Sequence, residues 1–127
     1  MKAPFTADGG CHCGAVRFTV TTPDPDLILC NCSICTKKGF VHLIVERHQL
    51  KVHQGMDKLT EYRFNTRTAR HLFCATCGMH PFYVPRSHPD GWSVNAQCLD
   101  EVSVTAKLPR VTFNGRHWEH HIDEIRD

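Results

Sequence analysis

The sequence predicts an all-β domain of short strands pinned together by metal. Three observations lead there. The apolar residues fall in short runs rich in β-branched and aromatic side chains, and Val16-Arg17-Phe18-Thr19-Val20 alternates cleanly. Gly, Pro and Asn punctuate these runs, and no long helical periodicity appears. Seven of the eight cysteines lie in three tight groups: Cys11-x-Cys13, Cys30-x-Cys32-x-x-Cys35 and Cys74-x-x-Cys77.

Taken in order, the strand candidates are residues 15–20, 27–29, 40–45, 59–64, 70–73, 82–84 and 92–95. In the first, Val16, Phe18 and Val20 share one side, as in a strand with one buried face. Thr60, Tyr62 and Phe64 repeat the pattern more weakly. Breaks fall at Pro23-Asp24-Pro25, Gly39, Gly55, Pro85, Pro89-Asp90-Gly91 and Asn114-Gly115. Asn-Gly favours a type I′ hairpin, which makes 111–113 and 116–118 its two arms. Residues 100–107 fit a helical turn or a strand. There is no repeat, low-complexity tract or linker, so residues 1–127 are expected to form a single zinc-binding domain.

The cysteine groups divide by arithmetic. A structural zinc site takes four ligands, whereas a reactive one takes three and keeps a vacancy. Cys11, Cys13, Cys74 and Cys77 add up to four. Cys30, Cys32 and Cys35 supply three within six residues. Gly78 after the second Cys-x-x-Cys cysteine permits a left-handed backbone. Gly9-Gly10 lets the chain bend before Cys11. Cys11 and Cys13, two apart on extended backbone, project to one side, and His12 then points away into solvent. Closing a loop of about 60 residues between the pairs costs roughly 3.7 kcal/mol. Structural zinc offers on the order of 10–16 kcal/mol in peptides, so the metal wins.

In the second group, three thiolates on Zn²⁺ leave a formal charge of −1. A fourth thiolate would stay electron-rich, which suits activation of an incoming thiol better than polarisation of a carbonyl. Lys37 and Lys38 follow at once, either to offset this charge, to meet an acidic substrate, or as a solvated basic turn. The competing structural reading is a second closed zinc site, with Cys98, His42, His71 or His80 as the fourth ligand. Cys98 reads by itself as a small buried hydrophobe, and His120-His121 as a solvated tail.

The totals narrow the class. A formal net charge of +2 gives no reason to invoke nucleic acid or a membrane surface. The first residues carry no apolar run of signal-peptide length, and no stretch approaches the ~18 apolar residues of a spanning helix. The expected location is therefore cytoplasmic. Thiols stay reduced there, which disfavours a disulfide framework for the eight cysteines.

The chain resembles the family of glutathione-dependent formaldehyde-activating enzymes and their relatives, which include centromere protein V. The resemblance rests on 9–18 (Gly-Gly-Cys-His-Cys-Gly-Ala-Val-Arg-Phe), on Cys30-Asn31-Cys32-Ser33-Ile34-Cys35, and on Phe73-Cys74-Ala75-Thr76-Cys77-Gly78. Residues 95–100 and Phe113-Asn114-Gly115 add to it. It implies a β-tent fold of small twisted antiparallel sheets. It also implies a structural zinc on Cys11, Cys13, Cys74 and Cys77 and a reactive zinc on Cys30, Cys32 and Cys35, two per chain. The implied activity is that of a carbon–sulfur lyase acting on the adduct of a small thiol such as glutathione with a small aldehyde such as formaldehyde. The alternative reading is a non-catalytic zinc module that binds a protein partner or senses thiols.

Overall fold

A computed structural model describes residues 5–23, 25–30, 33–63, 69–101 and 108–113. Among the described residues ten strands form two sheets, joined by one short α-helix and single 3₁₀ turns. The first sheet has three antiparallel strands in the order β1-β2-β5: β1 (Phe5–Gly10), β2 (Arg17–Thr22) and β5 (Leu50–Gln54). The second has seven strands in the order β10-β3-β4-β9-β8-β7-β6. They are β3 (Leu27–Cys30), β4 (Val41–Glu46), β6 (Leu59–Tyr62), β7 (Arg70–Cys74), β8 (Phe82–Val84), β9 (Gly91–Asn95) and β10 (Arg110–Phe113). Its pairs are antiparallel, apart from β10, which lies parallel to β3 at one edge. The all-β expectation holds. No helix among the described residues is long and apolar enough to cross a membrane.

The sheets meet at an aromatic contact. Alternation along β2 buries Phe18 and Val20, and Phe18 packs edge-on against Phe82 of β8 with ring centroids 5.8 Å apart. Trp92 of β9 also packs edge-on against Phe82, with ring centroids 5.2 Å apart. Truncating such a fully buried ring costs about 3–5 kcal/mol. Cys11 and Cys74 belong to the same core cluster, so the four-cysteine group caps the core where the small sheet meets the large one.

Several elements differ from the sequence reading. Residues 11–16 form a tight loop rather than the start of a strand, with Cys11 N–H donating to Val16 O and Gly14 N–H to Cys11 O, both at 3.2 Å. β2 therefore begins at Arg17, two residues after the expected start of the strand at 15. β1 was not expected, because its FTADGG sequence looks like a turn. Its glycines serve close approach rather than bending: a Cβ on Gly9 would lie 2.5 Å from Cys98 O, and one on Gly10 2.2 Å from Val16 O. β5 is a largely exposed edge strand with two apolar residues, Leu50 and Val52. The helix α1 (Ser33–Lys38) is too short to show a period, and Gly39, with φ +68°, ends it. Arms 111–113 and 116–118 were expected to pair. The first is in β10, alongside β3, while Asn114, Gly115 and 116–118 lie outside the described residues. Phe64, most of 100–107 and His120-His121 also lie outside them.

Candidate functional site

The first group of ligand atoms assembles from both sheets. The loop after β1 supplies Cys11 and Cys13, the end of β7 supplies Cys74 and the turn after it Cys77, with all four sulfurs within 4.8 Å of one another. Cys11 Sγ lies 3.6 Å from Cys13 Sγ, which lies 3.7 Å from Cys74 Sγ. Four sulfurs around zinc at ~2.3 Å stand about 3.8 Å apart, so this donor set fits the ion. Backbone amides face the sulfurs: Val16 N–H donates to Cys11 Sγ at 3.3 Å. Gly78 holds φ +76° and donates to Cys74 O at 2.8 Å, closing the knuckle as its sequence implied. His12 is exposed and takes no part.

Without an ion, Cys13, Cys74 and Cys77 hold their protons unevenly. The Cys77 amide, donated to the Cys74 sulfur, lowers the Cys74 thiol. Burial opposes ionisation of Cys77, yet the amides of Met79 and Cys13 and the neighbouring thiols draw it down to about 6. The Ala15 amide favours ionised Cys13, but the hydrogen-bonding load from Cys11, Cys74 and Cys77 outweighs it, and the thiol rises to about 11. The pocket thus favours negative charge on some of its sulfurs before any cation arrives, which is what a metal site requires.

The second group joins Cys30, Cys35 and His42, whose donor atoms also lie within 4.8 Å of one another. Cys30 ends β3, Cys35 sits on α1, and His42 is the second residue of β4. Gly39 and Phe40 both donate to Cys35 O, at 3.0 and 3.3 Å, which folds the helix end back toward β4. His42 is 3% exposed and its Nε2 lies 3.2 Å from Cys35 Sγ. Its Nδ1 lies 2.8 Å from Ser93 Oγ and 3.3 Å from the Tyr83 hydroxyl. Cys32 lies outside the described residues. Two thiols and a buried imidazole are borderline-soft donors suited to zinc.

Of the four residues considered as a fourth ligand, His42 is therefore the one beside these cysteines. The other three are not grouped with them. His71 Nδ1 accepts from Lys38 Nζ at 3.0 Å, and its ring stacks on Tyr83 at 4.7 Å. His80 is pulled down to about 4 by burial, with help from the charge of Lys38, and its buried Nδ1 has no partner among the described residues. Burial pushes the Cys98 thiol up to about 12, and Cys98 donates to His80 O at 3.6 Å. Cys98 is thus the protonated, partly buried residue its sequence setting implied. None of the seven described cysteines forms a disulfide.

Lys38 is no simple solvated turn residue. Its ammonium sits 5.2 Å from the Phe40 ring centroid and 4.9 Å from that of Tyr83. Lys37 is exposed. Sequence reasoning missed Ser93 and Tyr83, because the sheet alone brings them to His42.

Residues 6–114 match the family model described as glutathione-dependent formaldehyde-activating enzyme. The chain belongs to the glutathione-dependent formaldehyde-activating enzyme family. It is similar to a protein of Halomonas elongata, provisionally named as such an enzyme, with 36% identity over 80 residues. That match covers 55% of this chain and 50% of the relative, so the chain spans about half the length of the curated relative it matches. It is also similar to a Rhodobacter sphaeroides protein of known crystal structure, with a TM-score of 0.70 and 34% identity over 82% of this chain and 99% of that one. The family match takes in both cysteine clusters.

Proposed function

We propose that this chain is a zinc-dependent carbon–sulfur lyase that interconverts formaldehyde and glutathione with S-hydroxymethylglutathione. The observation that carries the reading is the second cluster, where Cys30, Cys35 and His42 converge in a member of a family named for formaldehyde activation. Cys11, Cys13, Cys74 and Cys77 hold a structural zinc in this reading, and Cys30, Cys32 and Cys35 hold the reactive one. A zinc ion bound there supplies a deprotonated thiol at neutral pH, because a coordinated thiol loses its proton outright.

The chain's own residues bind and orient. Cys30 and Cys35 fix the ion between the end of β3 and α1. Lys38, held over Phe40 and Tyr83 at the end of the helix that carries Cys35, offers a positive charge to an acidic thiol such as glutathione. In the reaction the thiol sulfur adds to the aldehyde carbon and forms the C–S bond. The C=O π pair moves to oxygen, which takes up the proton the thiol has lost. The reverse reaction breaks the same bond.

Exchange NMR tests this reading, since the uncatalysed exchange gives a baseline. Wild type should speed exchange between formaldehyde and S-hydroxymethylglutathione, and Cys32→Ser should not. S-methylglutathione, whose sulfur cannot ionise, should bind far more weakly than glutathione. If small thiols neither bind nor change the exchange rate, the lyase reading fails, and a zinc module for partner binding or thiol sensing takes its place.

A further inference from the structure

The second cluster contains a residue for which a three-thiolate site with a vacancy has no use. His42 is 3% exposed and lies on a core strand. A buried imidazole is costly unless both ring nitrogens are engaged. Here both are. Nδ1 meets Ser93 Oγ at 2.8 Å and the Tyr83 hydroxyl at 3.3 Å. Nε2 meets Cys35 Sγ at 3.2 Å, with Cys30 Sγ also in reach. Metal-binding histidines are built this way, with one nitrogen on the ion and the other anchored by a polar partner that sets ring orientation and tautomer.

The sheet makes the anchor rigid. β4 and β9 pair with His42 opposite Asn95 and Ile44 opposite Ser93, so Ser93 is the diagonal neighbour of His42 on the same face. Phe40 and Tyr83 flank the imidazole, with ring centroids 4.7 and 5.7 Å away. An S–N separation across a tetrahedral zinc is about 3.6 Å. The observed 3.2 Å is close to it, so a small ring shift suffices.

We infer that His42 would be the fourth ligand of a metal held at the second site, and that an incoming thiol would take its place. The inference rests on the reading that this cluster holds a metal. It deepens that reading by adding one nitrogen donor to the three sulfurs the reading assigns. Among the four donors the imidazole is the neutral one, so its departure separates no opposite charges. Ser93, Tyr83 and the ring of Phe40 hold it nearby once it has left. Ser93 and Tyr83 are positioning residues, because they reach the ion through His42.

The test uses the full-length protein with zinc in the four-cysteine site and Co²⁺ in the second. Cobalt-edge X-ray absorption should show imidazole scattering in wild type. His42→Ala should lose it, and millimolar free imidazole should restore it. Saturating glutathione should remove it from wild type and add a sulfur donor. Where His42→Ala does not fold, Ser93→Ala carries the test, with an expected 10–100-fold loss in affinity for the second metal and no change at the four-cysteine site. Imidazole scattering that survives His42→Ala, or an unchanged second-metal affinity in Ser93→Ala, overturns the assignment. Scattering that persists under saturating glutathione overturns the displacement. A wild type that binds no second metal overturns both this inference and the lyase reading, whereas the other outcomes leave the lyase reading standing.

Discussion

Replacing Cys77 by serine should remove most of the clamp between the two sheets. Cys77 is the suitable position because it is only half-buried, whereas Cys74 is fully buried in the core, where substitution would mix packing with ligation. The clamp joins residues 61 positions apart, as in Cys13 and Cys74. Zinc that also stays on the cysteines of the unfolded chain acts there as a cross-link, so its loss returns about 3.7 kcal/mol of conformational freedom to that chain. That is a large part of the ~5–15 kcal/mol that separates folded from unfolded domains. With a urea slope of about 2 kcal/mol per molar, the midpoint should fall by roughly 2 M. Fluorescence of Trp92, which packs on Phe82, reports the transition, and native mass spectrometry counts the zinc. Wild type stripped by a strong chelator should fall to the level of the variant, since serine for a half-buried cysteine removes little packing. An unchanged midpoint with an unchanged zinc count would refute the clamp. A lowered midpoint with all the zinc retained would assign the loss to packing instead.

Cys32→Ser should stay folded with one zinc, because the Cys30-to-His42 loop spans about 12 positions and its closure is worth only about 2.2 kcal/mol; urea titration with metal analysis checks both points. Cys98, pushed up to about 12 by burial, should resist iodoacetamide at pH 8 until urea unfolds the chain, and rapid labelling of the native protein would contradict its burial. Asp100→Asn should cost no more than about 1 kcal/mol at neutral pH, because the Arg17–Asp100 pair is exposed. The hydrogen bonds from Arg17 hold the Asp100 carboxyl below its ordinary 3.8, so this contribution is present above that value and lost as pH falls through the lowered one. Denaturation at several pH values should show the deficit of the variant closing in acid.

Metal chemistry was legible in the sequence because ligand spacing is local. Cys74-x-x-Cys77-Gly78 carries its own turn, and Cys11-x-Cys13 needs only extended backbone to put both sulfurs on one side. Strands such as β2 and β8 were legible for the same reason, since alternation or a short apolar run shows in a few residues. β1 was hidden because its glycines read as a turn, and only the approach of Cys98 O and Val16 O explains why nothing larger fits. The sequence by itself determined the fold class, the grouping of the cysteines and the family resemblance. It left His42, His71, His80 and Cys98 as candidates for the fourth position, with Cys98 already read as a small buried hydrophobe. Tertiary structure alone distinguished them. The β3–β4–β9 register sets His42 beside Cys35 and Ser93, Lys38 occupies His71, and burial keeps Cys98 protonated. One histidine among ten carries no spacing signal, because its anchors Ser93 and Tyr83 lie 51 and 41 positions away and meet it only when the sheet forms.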